Sequence, residues 1–148
     1  MHDILADLNR QICKMLEDVL PTINQNWWEK CVINQLSFNQ QKIVRENNSS
    51  ILSDLDLAAL LRIFDQNWYE IKNIRQLPLD ARNWLKECQT IRNRWAHLPS
   101  DGLKSADLYR DLDTVSRLLK AISSDEVLIA KVEKKRDDSW ELNVSAVF

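Results

Sequence analysis

The stretch Thr90–Leu98, TIRNRWAHL, holds the residues of this chain best suited to chemistry. His97 is one of two histidines in 148 residues, with Arg92 and Asn93 upstream and Pro99 just after it. A neutral imidazole can take the proton from a 2′-hydroxyl, and a protonated one can give a proton to a departing 5′-oxygen. A guanidinium can grip a phosphate through two hydrogen bonds and stabilise the charge that builds on its oxygens. Asn93 can orient the imidazole or bind phosphate itself. Arg92, Asn93 and His97 are therefore a candidate catalytic set for phosphodiester cleavage without a metal or other cofactor. The same residues also suit a purely structural role. A histidine in the last turn of a helix is favoured by the helix dipole, Asn93 can bond locally, and Arg92 can pair with a nearby carboxylate. Residue types alone leave both readings open.

Helical geometry sharpens the question. Asn93 and His97 lie four apart and share a face, whereas Arg92 and His97 lie five apart and diverge by about 140°. Two routes bring them to one site. The helix can loosen before Pro99, because a residue preceding proline resists the α region. Alternatively, two copies of the helix can face each other in a symmetric dimer, so that both chains line one cleft.

The elements around this segment read as helices. Hydrophobic residues make up 45% and charged residues 28%, ordinary values for a globular domain with a genuine core. One glycine and three prolines are too few for a turn-rich β fold, and they exclude Gly-rich phosphate loops. An all-α bundle of five to six helices with antiparallel core helices is expected. The net charge of -2 argues against a general nucleic-acid coat protein but permits a local basic site. Cys13, Cys31 and Cys88 have no zinc spacing and read as core thiols of a reducing cytoplasm. No apolar run is long enough to span a membrane, the N-terminus does not read as a secretory signal, and His2 lies too near a frayable end to matter.

Periodicity predicts a first helix over Asp3–Leu20, stopped by Pro21, and a second from Thr22 into the thirties. The adjacent Trp27 and Trp28 diverge, so one should pack inside and the other against a neighbouring element or partner. Residues 37–54 read as a polar connector with a short helical turn, and Ser53 or Asp54 is placed to cap the next helix. That helix carries Leu57, Leu60, Leu61 and Phe64, with an interruption expected at Asn67. After the break at Pro78, a helix from Leu79 or Asp80 runs into the Arg–His segment, with Trp95 on its apolar stripe, and ends at Pro99 and Gly102. Another runs from Ser105, a candidate cap, through Ile122 and should pack antiparallel to it. A shorter helix is expected over Ser124–Lys135. Residues 1–125 read as the main domain, and 126–148 as an extra helix or tail, with the abrupt apolar end suggesting a piece of a longer protein.

Arg92 and His97 with four residues between them, the polar Asn93 after the arginine, and the Ala96–His97 pair near a helix end resemble the HEPN superfamily of small all-helical domains. Trp27–Trp28, Gln40–Gln41, LSDLDLAALLRIF, Asn67–Trp68 and the run Asp107–Asp113 look like its Swt1-like branch, and cover most of residues 20–122. The resemblance implies a metal-independent endoribonuclease site at a homodimer interface, with Arg92 anchoring the phosphate, His97 as acid–base residue and Asn93 in support. It implies RNA as partner, and a defence or toxin context with an antitoxin or fused partner domain. Noncatalytic relatives make an RNA-binding or protein-interaction module the alternative. Glu70 is a candidate supporting carboxylate and Arg94 a candidate neighbour of the cleft. Tyr109 and Arg110, on the following helix, are candidate RNA contacts. Each of these suits an ordinary surface role as well.

Overall fold

The computed structural model describes residues 2–98 and 102–147, with side chains to Glu141. The α-helices are α1 (His2–Ile23), α2 (Phe38–Glu46), α3 (Leu57–Gln66), α4 (Trp68–Arg75), α5 (Ala81–Ala96), α6 (Ser105–Ile122) and α7 (Glu126–Val147). No strand occurs among the described residues, so the fold is all-α as composition requires, with more helices than expected.

Four helices close a ring of neighbours: α1 packs on α3, α3 on α5, α5 on α6, and α6 back on α1. Their apolar stripes meet inside. Ile4, Leu8, Ile12 and Leu16 of α1 face Leu60, Leu61 and Phe64 of α3, Leu85 and Ile91 of α5, and Val115 and Leu119 of α6 in one core. Side-chain pairs give the directions. Asp65 late in α3 meets Arg82 and Lys86 early in α5, while Asp56 before α3 meets Arg92 late in α5. Glu87 early in α5 meets Thr114, and Trp95 late in α5 meets Asp111. Both seams are therefore antiparallel.

Several boundaries depart from the sequence expectation, each for a local reason. α1 runs through Pro21 to Ile23. A proline this close to the C-terminus removes one hydrogen bond where few remain, and the Thr22 hydroxyl donates to the Val19 carbonyl at 2.6 Å. No second helix starts at Thr22. A π-helical turn over Trp28–Val32 and a 3-10 turn over Ile33–Gln35 follow instead. Neither tryptophan is fully buried: Trp27 and Trp28 meet edge to face, centroids 5.8 Å apart. The 37–54 connector contains the whole of α2, started by a reciprocal capping box between Ser37 and Gln40. α3 is capped by Asp56, whose carboxylate accepts from the Ala59 N–H at 2.9 Å, rather than by Ser53 or Asp54. Asn67 does divide α3 from α4. Its buried amide donates to the carbonyls of Cys31 and Ile63, both at 2.8 Å, tying the π turn to the break. α6 begins at Ser105 with Lys104 in the cap position, so Ser105 is helical rather than capping. Pro99 lies outside the described residues, and α5 ends before it, at Ala96.

α7 is longer than the expected Ser124–Lys135 helix and lies antiparallel on α6. Its seam is short of apolar residues, with Leu128 and Val132 buried, and rich in ion pairs. Lys131 and Lys135 reach Asp3, Lys131 also reaches Asp7, Lys120 reaches Glu133, and Arg136 reaches Asp113. Lys135 and Lys131 hold the Asp3 carboxyl well below the usual range. Burial alone would raise Asp113, but hydrogen bonds from Arg117 and Arg136 outweigh it and hold it low. Carboxylates depressed in the folded state contribute stability above their unfolded pKa of about 4 and lose it as pH falls through the folded values. Hydrogen exchange should therefore find α7 amides losing protection progressively as pH falls below about 4, before those of α1, α3, α5 and α6. Protection in α7 and the four-helix core that falls together through the acid range would refute the account.

Candidate functional site

α5 carries the site because its two ends are held differently. Its buried face of Ala81, Leu85, Cys88, Ile91 and Trp95 locks it into the core. At the C-terminal end, Asp111 of α6, only 3% exposed, fixes the last turn. One carboxylate oxygen accepts from the Trp95 indole N–H at 2.8 Å, and the other accepts from Arg94. Trp95 is thus a core residue, and Arg94 makes an interhelical ion pair.

Arg92 and Asn93 lie on other faces of the same turn. Arg92 is about one-third exposed, and its guanidinium lies between two acceptors. One outer nitrogen donates to the Asn93 side-chain oxygen at 3.3 Å, and the other stands 3.9 Å from the Asp56 carboxylate. Asp56, itself two-thirds exposed, was named by the sequence only within the LSDLDLAALLRIF stretch. Its place before the apolar run of α3, three residues ahead of Ala59, is the signal that marks it as a cap. His97 follows Ala96 as an exposed residue with φ -125° and ψ 37°, off the helical path. Its backbone N–H closes a tightened last turn onto the Arg94 carbonyl at 3.2 Å. The α-helix therefore ends at Ala96, and His97 turns off its path.

The remaining sequence candidates sit elsewhere. Glu70 is an exposed residue in the first turn of α4, and its charge acts on the Cys31 thiol. Tyr109 is half-buried against α7, its ring 5.4 Å from that of Trp140 and under the Arg136 guanidinium. Arg110 is exposed and stands 3.7 Å from Glu87. A cavity of about 250 Å³ between α5 and α6 includes Arg94 and Arg110, but Glu87, Asp107 and Asp111 share it. Three carboxylates beside two arginines make that cavity a poor phosphate cradle.

None of the three cysteines is poised as a nucleophile. Burial pushes the Cys13 thiol up to about 12, with Glu17 adding to it. Burial likewise raises Cys31, with Glu70 adding, and Cys88, with Glu87 and Asp111 adding.

The family model of the Swt1-like HEPN domain matches residues 4–123, from α1 to the end of α6. The chain belongs to the Swt1-like HEPN family. No curated protein and no solved structure matches it. Within this HEPN domain the matched span contains the Arg92–His97 segment and all but the first two residues of the four-helix ring, while α7 lies beyond it. Among the described residues, no helix is long and apolar enough to cross a membrane.

The arrangement makes Asp111 the residue on which the α5 end depends. Replacing it with Ala leaves the buried Trp95 N–H and the Arg94 guanidinium without their acceptor, a loss of about 2 kcal/mol. Asp111→Asn keeps a carbonyl for Trp95 and should lose less. Urea denaturation of the two variants beside the parent chain measures this, and an Ala variant as stable as the parent would contradict it.

Proposed function

We propose that this HEPN domain is a metal-independent endoribonuclease. The observation that carries the reading is Arg92: a half-buried guanidinium, oriented by Asn93 and Asp56, one turn before the exposed His97 where α5 unwinds. Arg92 supplies a fork suited to a phosphate's oxygens. Neutral His97 takes the proton of a 2′-hydroxyl as that oxygen attacks the adjacent phosphorus. The new O2′–P bond forms as the P–O5′ bond breaks, and a protonated imidazole gives its proton to the leaving 5′-oxygen. The products are a cyclic phosphate and a free 5′-hydroxyl.

Each chain brings one His97, so two chains facing through the C-terminal ends of α5 would supply one imidazole as base and one as acid. This homodimer is part of the proposal, as are a defence or toxin role and control by an antitoxin or fused partner. Asn93 supports Arg92 in this reading. Glu70, Arg94, Tyr109 and Arg110 have no catalytic part in it.

A second reading, a noncatalytic module that binds RNA or another protein, draws support from the exposed apolar side chains Phe38, Tyr69, Leu79 and Val127. The two readings part on one experiment. Chelator-treated protein is incubated with labelled RNA beside His97→Ala and Arg92→Ala, each checked for helical content. The proposal expects cleavage by the parent alone, with each variant reduced by about 100-fold or more. It expects a smaller loss for Asp56→Asn, because asparagine still caps α3 while removing the charge beside Arg92. Equal cleavage by parent and His97→Ala would remove His97 from the mechanism. No cleavage by the parent at any concentration that yields dimers would leave the module reading standing.

A further inference from the structure

α7 carries a tryptophan that the core does not use. Trp140 is half exposed, although a ring of that size gains most by burial. It meets Tyr109 of α6 with the centroids 5.4 Å apart and the planes tilted by 57°. The two rings, with Asp137 and Glu141, line a cavity of about 520 Å³. Asp137, Trp140 and Glu141 all lie beyond the matched span 4–123, so this surface belongs to the part of the chain outside the HEPN match.

The charges that line this cavity have one sign. Asp137 and Glu141 stand four residues apart on α7 and share a face, with Trp140 beside them. Among the described residues no lysine or arginine lines the cavity. The neighbouring cations are already held. Arg136 has its guanidinium 5.9 Å from the Tyr109 ring centre, but its nitrogens lie on Asp113, Glu133 and Asp137. Lys134, which feels the charge of Glu141, is itself paired with Asp138 at 3.0 Å. Glu141 is exposed and makes no ion pair or hydrogen bond among the described residues, and no cation stands over the Trp140 ring among them. An open aromatic face therefore sits beside an uncompensated carboxylate.

We propose that this surface docks a basic partner protein, one arginine of which lays its guanidinium on the Trp140 ring and pairs with Glu141. A guanidinium is planar, stacks on an aromatic face and offers a carboxylate two parallel N–H donors. Asp137 adds a second negative charge along the same face. A phosphate backbone would meet both carboxylates, so the charge pattern favours a basic protein over a nucleic acid here. Neither Arg92 nor His97 takes part, and docking is independent of cleavage.

The test is an NMR titration of the isotopically labelled full chain with a short, capped, arginine-rich peptide. The same peptide with citrulline at every arginine keeps the planar group and loses the charge. The backbone amide signals of residues 137–141 report binding in every variant, and the Trp140 indole signal reports it in the parent. The arginine peptide should move these signals and bind about tenfold more tightly than the citrulline peptide. Glu141→Gln and Trp140→Leu should each weaken binding about tenfold, and Trp140→Phe should restore much of it because phenylalanine still offers a ring face. Glu141 is exposed and unpaired among the described residues, so its variant keeps the fold even if Trp140→Leu loosens α7. No movement at millimolar peptide overturns the proposal, as do equal binding of the citrulline peptide and binding that ignores both Trp140 and Glu141. Movement of the same signals by an oligoadenylate in place of the peptide would assign the surface to nucleic acid and overturn it as well.

Discussion

A single buried carboxylate decides what the Arg–His segment can be. Asp111 sits in α6 with both oxygens occupied by α5, one by the Trp95 indole and one by Arg94. An ionised carboxylate this deep is tolerated only when charge-assisted hydrogen bonds satisfy it. Burying the Trp95 ring contributes roughly 4–6 kcal/mol by its area, far more than a half-exposed arginine can add. The tryptophan therefore sets the rotation of the last α5 turn, and the carboxylate makes that rotation the only one without an unpaired group. With Trp95 inward, Arg92 and Asn93 fall on faces the core does not use.

That constraint explains which features the sequence disclosed. Long, regularly spaced apolar stripes appeared where expected: the Leu108–Ile122 pattern is α6, and the Asn67 interruption is the α3–α4 break. The first is decided by burial over many residues, which periodicity reports directly, and the second by a residue type that favours helix ends. Features decided by one contact were not legible. The Asp111 clamp needs two residues sixteen and seventeen positions apart, and nothing in the run Asp107–Asp113 marks which acid is buried. α2 was hidden because its residues are polar and only Val44 is buried, so no stripe announced it. The π turn over Trp28–Val32 was equally silent, since its displaced carbonyl is satisfied by Asn67, from another element.

α7 belongs to a different physical regime from the ring it covers. The four-helix core is held by apolar contact, whereas α7 is held largely by exposed or half-exposed ion pairs. Such pairs are individually weak and screened by salt, though a network fixes register well. Lys120–Glu133, Arg136–Asp113 and the Tyr109–Trp140 contact align α7 against α6 at three levels. That register places Arg136 of α7, which lies beyond the matched family span, against Asp113 of α6.

The contrast between two arginines two residues apart carries the functional argument furthest. Arg94 meets a carboxylate that is 4% exposed, and breaking that pair would strand a buried charge, so Arg94 stays where it is. Arg92 meets a carboxylate that is 67% exposed and 3.9 Å away, a geometry worth no more than about 1 kcal/mol in water. Asp56 is moreover already engaged in capping α3. A partner that weak can aim a guanidinium but cannot hold it against a phosphate, whose oxygens offer two stronger, parallel hydrogen bonds. Residue type makes the two arginines equivalent; burial of their partners fixes one firmly and leaves the other weakly held.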